Sequence, residues 1–280
     1  METTQIPVGE MTFDARVDGP AGGELVVLLH GFPQTSYEWR HQLPALADAG
    51  YRAVAPDQRG YSPGARPEGV EHYATPRLEA DVLAVADWIG GHRFHLVAHD
   101  WGAIVAWQVA GHFPERLRSL TILSVPHPAA FRRAISDDGD QKNRSEYMRF
   151  FQTPDEPEAM FLANDAAGLR AVFATHEPDA VDEYVRVLTQ PGAMTAALNY
   201  YRAMNGSLAD IGPVDVPTMF VWSTEDVAVA RSGAEATAQH VRAPYRFEIL
   251  DGVSHWIPEE AAADVNRLLL EHLASPPVRV

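Results

Sequence analysis

Residues 94–107 read Phe94-His95-Leu96-Val97-Ala98-His99-Asp100-Trp101-Gly102-Ala103-Ile104-Val105-Ala106-Trp107. An apolar run (Phe94, Leu96, Val97) leads into small-x-Asp-x-small, and a largely apolar helical stretch follows. This is the layout of a nucleophile elbow, a tight strand-to-helix turn that lifts one side chain above a sheet. Ala98 and Gly102 are small because the strained turn and the close strand–helix approach leave little room. The side chain presented is a carboxylate. A serine that attacked saturated carbon would leave a stable ether. A carboxylate leaves an ester, which a base and water can hydrolyse. Asp100 therefore points towards opening a C–X bond at sp³ carbon rather than towards esterase work.

Working outward, strands and helices alternate over the first 125 or so residues. Leu25–His30 and Tyr51–Ala55 are short apolar runs that suit buried parallel strands. Thr75-Pro76 opens a helix with Pro at its first position, and Leu78, Val82, Val85 and Ile89 continue it at helical spacing. Leu117–Leu123 is the strand after the elbow helix. The alternation resumes with Thr218–Trp222, a helix over about Ser232–Val241, the strand Tyr245–Leu250 and a helix over about Glu259–Leu273. Repeated βα units predict an α/β fold with a mostly parallel sheet flanked by helices. Residues 127–212 break the pattern with acidic clusters, prolines and helix-like segments. They read as an inserted helical cap, leaving 1–126 and 213–280 as the core. Asp137-Asp138-Gly139-Asp140 within the insertion lacks calcium-loop spacing and reads as a solvated acidic turn.

Composition narrows the classes. A chain of 280 residues with 46% hydrophobic and 21% charged residues can bury a large core. With no cysteine, thiol nucleophiles, disulfides and zinc–cysteine sites are excluded. The first residues, Met1-Glu2-Thr3-Thr4-Gln5-Ile6-Pro7, do not read as a signal peptide, and no apolar run reaches membrane-spanning length. A soluble cytoplasmic protein is expected. The net charge of −16 argues against nucleic acid and anionic membranes as partners.

Three further segments converge on Asp100. His30-Gly31-Phe32-Pro33 follows an apolar strand, where the loop supplies one backbone N–H of an oxyanion hole; Trp101, after the nucleophile, supplies the other. Ser223-Thr224-Glu225-Asp226 ends a strand, and Asp226, with Glu225 as its rival, is expected to orient a histidine. That histidine is His255 in Gly252-Val253-Ser254-His255-Trp256, singled out among twelve by the chain order nucleophile, acid, histidine. His99 is assigned to the packing of the elbow. Opening an epoxide expels an alkoxide, which needs an acid. Tyr147, Tyr200 and Tyr201 in the insertion are the candidate donors.

These residues resemble a known family. His30-Gly31-Phe32-Pro33 is similar to the His-Gly-x-Pro motif of α/β-hydrolase-fold epoxide hydrolases, and His99-Asp100-Trp101-Gly102 to their nucleophile segment. Trp39-Arg40, Phe113-Pro114-Glu115-Arg116 and Ser254-His255-Trp256 also look familial, over about residues 24–272. The resemblance implies Tyr147 and Tyr201 as ring-opening donors, with Tyr200 a neighbour in a place often held by Trp. It implies hydrolysis of a small-molecule epoxide by water to a vicinal diol, with no cofactor and no metal. One departure is Asp57-Gln58-Arg59-Gly60-Tyr61-Ser62-Pro63-Gly64, where the family loop more often lacks the proline. Phe32, Trp101, Phe131, Met148, Phe150 and Trp256 are candidate pocket-lining residues.

Two alternatives remain at this point. Haloalkane dehalogenases resemble the chain too, but need a second side-chain N–H for halide, where Phe32 offers none. A non-catalytic binding protein on the same fold is the other.

Overall fold

The computed structural model describes residues 1–204, 208 and 210–274. Among them are the strands β1 (Glu2–Val8), β2 (Met11–Asp18), β3 (Leu25–Leu29), β4 (Arg52–Pro56), β5 (Phe94–His99), β6 (Leu117–Leu123), β7 (Thr218–Glu225) and β8 (Tyr245–Ser254). They form one sheet in the order β1-β2-β4-β3-β5-β6-β7-β8. β1 and β2 are an antiparallel hairpin, and β2 meets β4 antiparallel. Every other neighbouring pair is parallel.

The inner strands are buried on both faces, so they read as continuous apolar runs. Val27, Leu29, Leu96 and Ala98 point into one core, and Val26, Leu28 and Val97 into the other. Helices α1 (Gln42–Asp48), α2 (Thr75–Trp88) and α3 (Asp100–His112) connect the first strands. From β3 the chain turns to one side to make β4, then returns past β3 to make β5 on the other side. Loops after two strands that diverge in this way leave a crevice at their carboxyl ends. The His30-Gly31-Phe32 loop follows β3 and Asp100 follows β5, so both candidate segments open into that crevice.

Between β6 and β7 lie α4 (Pro128–Asp137), α5 (Gly139–Arg144), α6 (Tyr147–Phe151), α7 (Glu156–Val172), α8 (Pro178–Leu188) and α9 (Ala193–Arg202). Pro128, Pro157 and Pro178 sit in the first turns of α4, α7 and α8, where a missing N–H costs nothing. α7 is broken at Ala163–Ala166, where Asn164, Asp165 and Ala166 take positive φ. The acidic turn at 137–140 caps a helix: the Asp138 carboxylate accepts the Asp140 N–H at 2.9 Å. After β7 come α10 (Arg231–Ala236), α11 (Ile257–Glu260) and α12 (Ala262–Leu273). The helix expected over 232–241 is therefore shorter and ends in a 3₁₀ turn, Thr237–His240, and the one expected over 259–273 is divided at Ala261. No described helix is long and apolar enough to cross a membrane.

Candidate active site

Asp100 is the first residue of α3 and has φ +48°. A non-glycine residue held there stores on the order of 1–3 kcal/mol of strain. The close packing of the elbow supports it: a Cβ on Gly102 would lie 2.3 Å from the Leu29 carbonyl oxygen, so only glycine fits. Asp100 is buried, and its Oδ1 accepts the Phe32 N–H at 2.7 Å. Its Oδ2 lies 3.4 Å from His255 Nε2. On the far side of the ring, His255 Nδ1 is 2.9 Å from Asp226 Oδ2. The other oxygen of Asp226 accepts the N–H groups of Ala228 and Val229 at 2.8 and 2.9 Å. Asp226 is fully buried, whereas Glu225 is exposed.

These contacts set the charges. Burial acts against ionised Asp100, but the hydrogen bond and charge of His255, with help from His99 and the Phe32 amide, hold its carboxyl below the usual value. Burial also acts against a charged His255. Here Asp226 and Asp100 prevail and raise it from 6.5 to about 10. At neutral pH the imidazolium is held between two carboxylates.

The loop after β3 is shaped by its histidine. Burial lowers His30 to about 4, so the ring is neutral. Its Nδ1–H donates to the Gly31 carbonyl at 3.0 Å, and its Nε2 accepts the Gln58 N–H at 3.0 Å. Below the loop sits a buried pair that the sequence did not reveal. Glu38 Oε2 accepts the Gly31 N–H at 3.0 Å, and Oε1 lies 2.8 Å from His99 Nδ1. His99 Nε2 in turn donates to the His255 carbonyl at 2.9 Å, and the Ser124 hydroxyl donates to the same oxygen at 3.0 Å. The imidazole beside Asp100 thus ties the segments after β3 and β8 together. Glu38 gave no signal beyond an acid between two aromatic residues, Tyr37 and Trp39.

A cavity of about 200 Å³ opens above Asp100, and Trp101, Tyr147 and Tyr201 share its wall. The Tyr147 and Tyr201 rings lie edge to face with centroids 6.2 Å apart, and Trp101 stands edge-on to Tyr201 at 5.1 Å. Burial raises both phenols, followed by the Asp100 charge at Tyr147 and by Tyr147 and then Asp100 at Tyr201, so both keep their protons. Tyr200 faces elsewhere, donating to the Arg59 carbonyl at 2.8 Å. The rest of the wall is mostly apolar and includes Ile104, Val125, Phe131 and Met148. Of the six residues expected to line a pocket, Trp101, Phe131 and Met148 do so. Phe32 instead packs against Phe151, Phe161 and Tyr201, Phe150 against Phe151, and Trp256 against Phe173 and His176. No described group of three or more His, Asp or Glu residues is placed to hold a metal ion.

Residues 24–262 match the α/β-hydrolase fold family. The chain belongs to that family. This α/β-hydrolase is 38% identical to the AB hydrolase superfamily protein YfhM of Bacillus subtilis over 94% of either chain. It is 35% identical to epoxide hydrolase 4 of Mus musculus over 90% of its own length and 73% of the relative's. It is also similar to the crystal structure of an epoxide hydrolase from Bacillus megaterium in complex with an inhibitor. That likeness has a TM-score of 0.90 at 26% identity and covers 97% of this chain and 100% of the other. The resemblance read from the motifs thus extends over nearly the whole α/β-hydrolase chain, including the helices between β6 and β7.

Proposed function

We propose that this protein hydrolyses epoxides to vicinal diols through an ester on Asp100. One observation carries the reading: an ionised carboxylate and two protonated tyrosines share one apolar cavity. A nucleophile for carbon and acids for a departing oxygen are what ring opening requires. Helices α4–α9, within 127–212, act as a cap over a core of 1–126 and 213–280. The substrate enters between them.

Tyr147 and Tyr201 bind the ring oxygen. Asp100 Oδ2 attacks a ring carbon from the opposite side, forming a C–O bond as the ring C–O bond breaks. Oδ1, held by the Phe32 amide, becomes the carbonyl oxygen of the ester. The leaving oxygen takes a proton from the tyrosines. Charge balance then returns the His255 proton to them, because the ester no longer supplies one of the two anions that held it. Neutral His255, oriented by Asp226, takes a proton from water, and that water attacks the ester carbonyl. The Phe32 and Trp101 amides hold the resulting oxyanion, and each such donor is typically worth about 3–4 kcal/mol. Collapse expels the diol oxygen, formerly Oδ2, which takes the proton from His255; the acid left on Asp100 then returns a proton to His255, restoring the starting carboxylate and imidazolium. No step needs a cofactor.

The apolar wall suits lipophilic epoxides that fit within about 200 Å³. The test is to mix the protein with a panel of simple alkyl and aryl epoxides and detect diol. Turnover is expected for several; a folded protein that yields no diol from any of them contradicts the reading.

A further inference from the structure

The segment Asp57–Arg66, set apart by its Ser62-Pro63-Gly64, is fastened to the core at several points besides the Gln58 bond to His30. The Ser62 hydroxyl donates to the Asp57 carbonyl at 2.6 Å and accepts the Asp14 N–H at 2.9 Å. Gly64 lies against β2, where a Cβ would sit 2.8 Å from the Thr12 carbonyl oxygen. Arg59 makes two hydrogen bonds of 2.6 Å to the Asp81 carboxylate on α2, and both residues are buried. Paired charges sealed from water in this bidentate form hold their geometry firmly.

The other side of the segment grips α9. The Tyr200 hydroxyl donates to the Arg59 carbonyl. Arg66 bridges the two: it donates to the Gly60 and Tyr61 carbonyls at 2.7 and 2.9 Å. It also donates to the Pro191 carbonyl and Gln190 Oε1, just before α9, at 3.0 and 3.3 Å. Gly60, at φ +88°, lets the chain come so close that a Cβ would meet Ala196 Cβ at 3.0 Å. Consecutive helix residues point about 100° apart. Tyr200 therefore turns to this segment while Tyr201 turns to the cavity with Asp100.

We infer that Asp57–Arg66 is a cradle that fixes α9, and through it the Tyr201 hydroxyl, making Tyr200 and Arg66 positioning residues for ring opening. The inference rests on the proposed function. An acid must meet the leaving oxygen within a few tenths of an ångström, and a misplacement of about 1 Å can cost on the order of 10² in rate. Asp100, at the start of α3, and Asp226 and His255, just after β7 and β8, are held by the Phe32 amide, by each other and by the Ala228 and Val229 amides rather than by α9. Loosening the cradle therefore slows ester formation and spares ester hydrolysis.

Single-turnover kinetics separate the two steps. Tyr200→Phe keeps the ring and removes only the bond to Arg59. It should slow alkylation of Asp100 by about tenfold or more and leave the breakdown of the ester at its wild-type rate. Arg66→Ala should do the same, and Arg66→Lys should recover part of the loss. Thermal melting checks that each variant is folded; should Tyr200→Phe fail, the Arg66 pair decides. Equal slowing of both steps, or wild-type alkylation in folded Tyr200→Phe and Arg66→Ala, overturns the cradle. If those variants alkylate normally while Tyr201→Phe is slow, only the cradle falls. If the wild type forms no ester, the proposed function falls with it.

Discussion

His255 Nε2 stands 3.4 Å from Asp100 Oδ2, longer than the 2.9 Å that joins its other nitrogen to Asp226. The imidazolium is thus anchored on the Asp226 side and only loosely paired with Asp100. Asp100 keeps its charge without being tied up, so that in the proposed reaction it needs no base in order to attack.

That division of labour means that removing the nucleophile and removing the base fail differently. Asp100→Asn should form no adduct at early times, though slow deamidation can restore some activity. His255→Gln should still be alkylated and then stall, appearing heavier by one whole epoxide in intact-mass spectrometry, with the added mass on the peptide carrying Asp100. In heavy-oxygen water, one wild-type turnover should leave the label in Asp100. Label in the first diol released would mean that water attacks the epoxide directly.

Tyr147→Phe and Tyr201→Phe should each slow ring opening by on the order of 10²-fold, and the double variant should be nearly inactive while folded. Tyr200→Phe should be milder than either, since its hydroxyl is spent on Arg59. Stopped-flow alkylation rates give the ranking, and a Tyr200→Phe as slow as the double variant would reassign the donor.

Chloroalkanes and bromoalkanes should release no halide above background, because Phe32 brings no side-chain N–H to the loop after β3. Added bromide should not compete with epoxide. Steady halide release with turnover would instead place the protein among dehalogenases.

Stability should depend on His255. Its folded pKa of about 10 exceeds the ordinary 6.5, so its contribution is complete below about 6.5 and is lost as pH rises through about 10. Denaturant unfolding should show wild-type stability declining across that window, and His255→Gln should flatten the decline. Parallel pH profiles for the two proteins would contradict this assignment of the proton.

Glu38→Ala removes the partner of both Gly31 and His99 from a fully buried place. Breaking one side of such a pair typically costs about 3–5 kcal/mol. Glu38→Gln, which can still accept from Gly31, should cost less. Urea midpoints at matched slopes measure both, and an Ala variant as stable as wild type would show that the pair contributes nothing net.

The residues that follow buried parallel strands were legible in the sequence. Phe32 and Asp100 come just after the apolar runs of β3 and β5, and such runs cannot be hidden; His255 follows the partly exposed edge strand β8 and was legible from its place in the chain order. The hairpin of β1 and β2 was not legible, because in β1 only Ile6 is fully buried among exposed polar neighbours. Glu38 and Ser124 were missed because their work is done through backbone groups brought close only by folding. The residues alone left Tyr200 and Tyr201 equivalent as neighbours on one helix; the family resemblance chose Tyr201, and in the structure the Tyr200 hydroxyl is occupied by the Arg59 carbonyl.

The cavity above Asp100 takes Phe131 and Ile135 from α4 and Met148 from α6. None of the three makes a hydrogen bond that holds Asp100, His255 or Asp226 in place. The walls that would choose a substrate and the groups that would complete hydrolysis are therefore written in different parts of the chain, and the two meet where Tyr147 stands beside Met148 on α6. In the proposed reaction an engineer can edit Phe131 and Ile135 on α4 to reshape what fits, and leave Asp100, His255 and Asp226 as they stand.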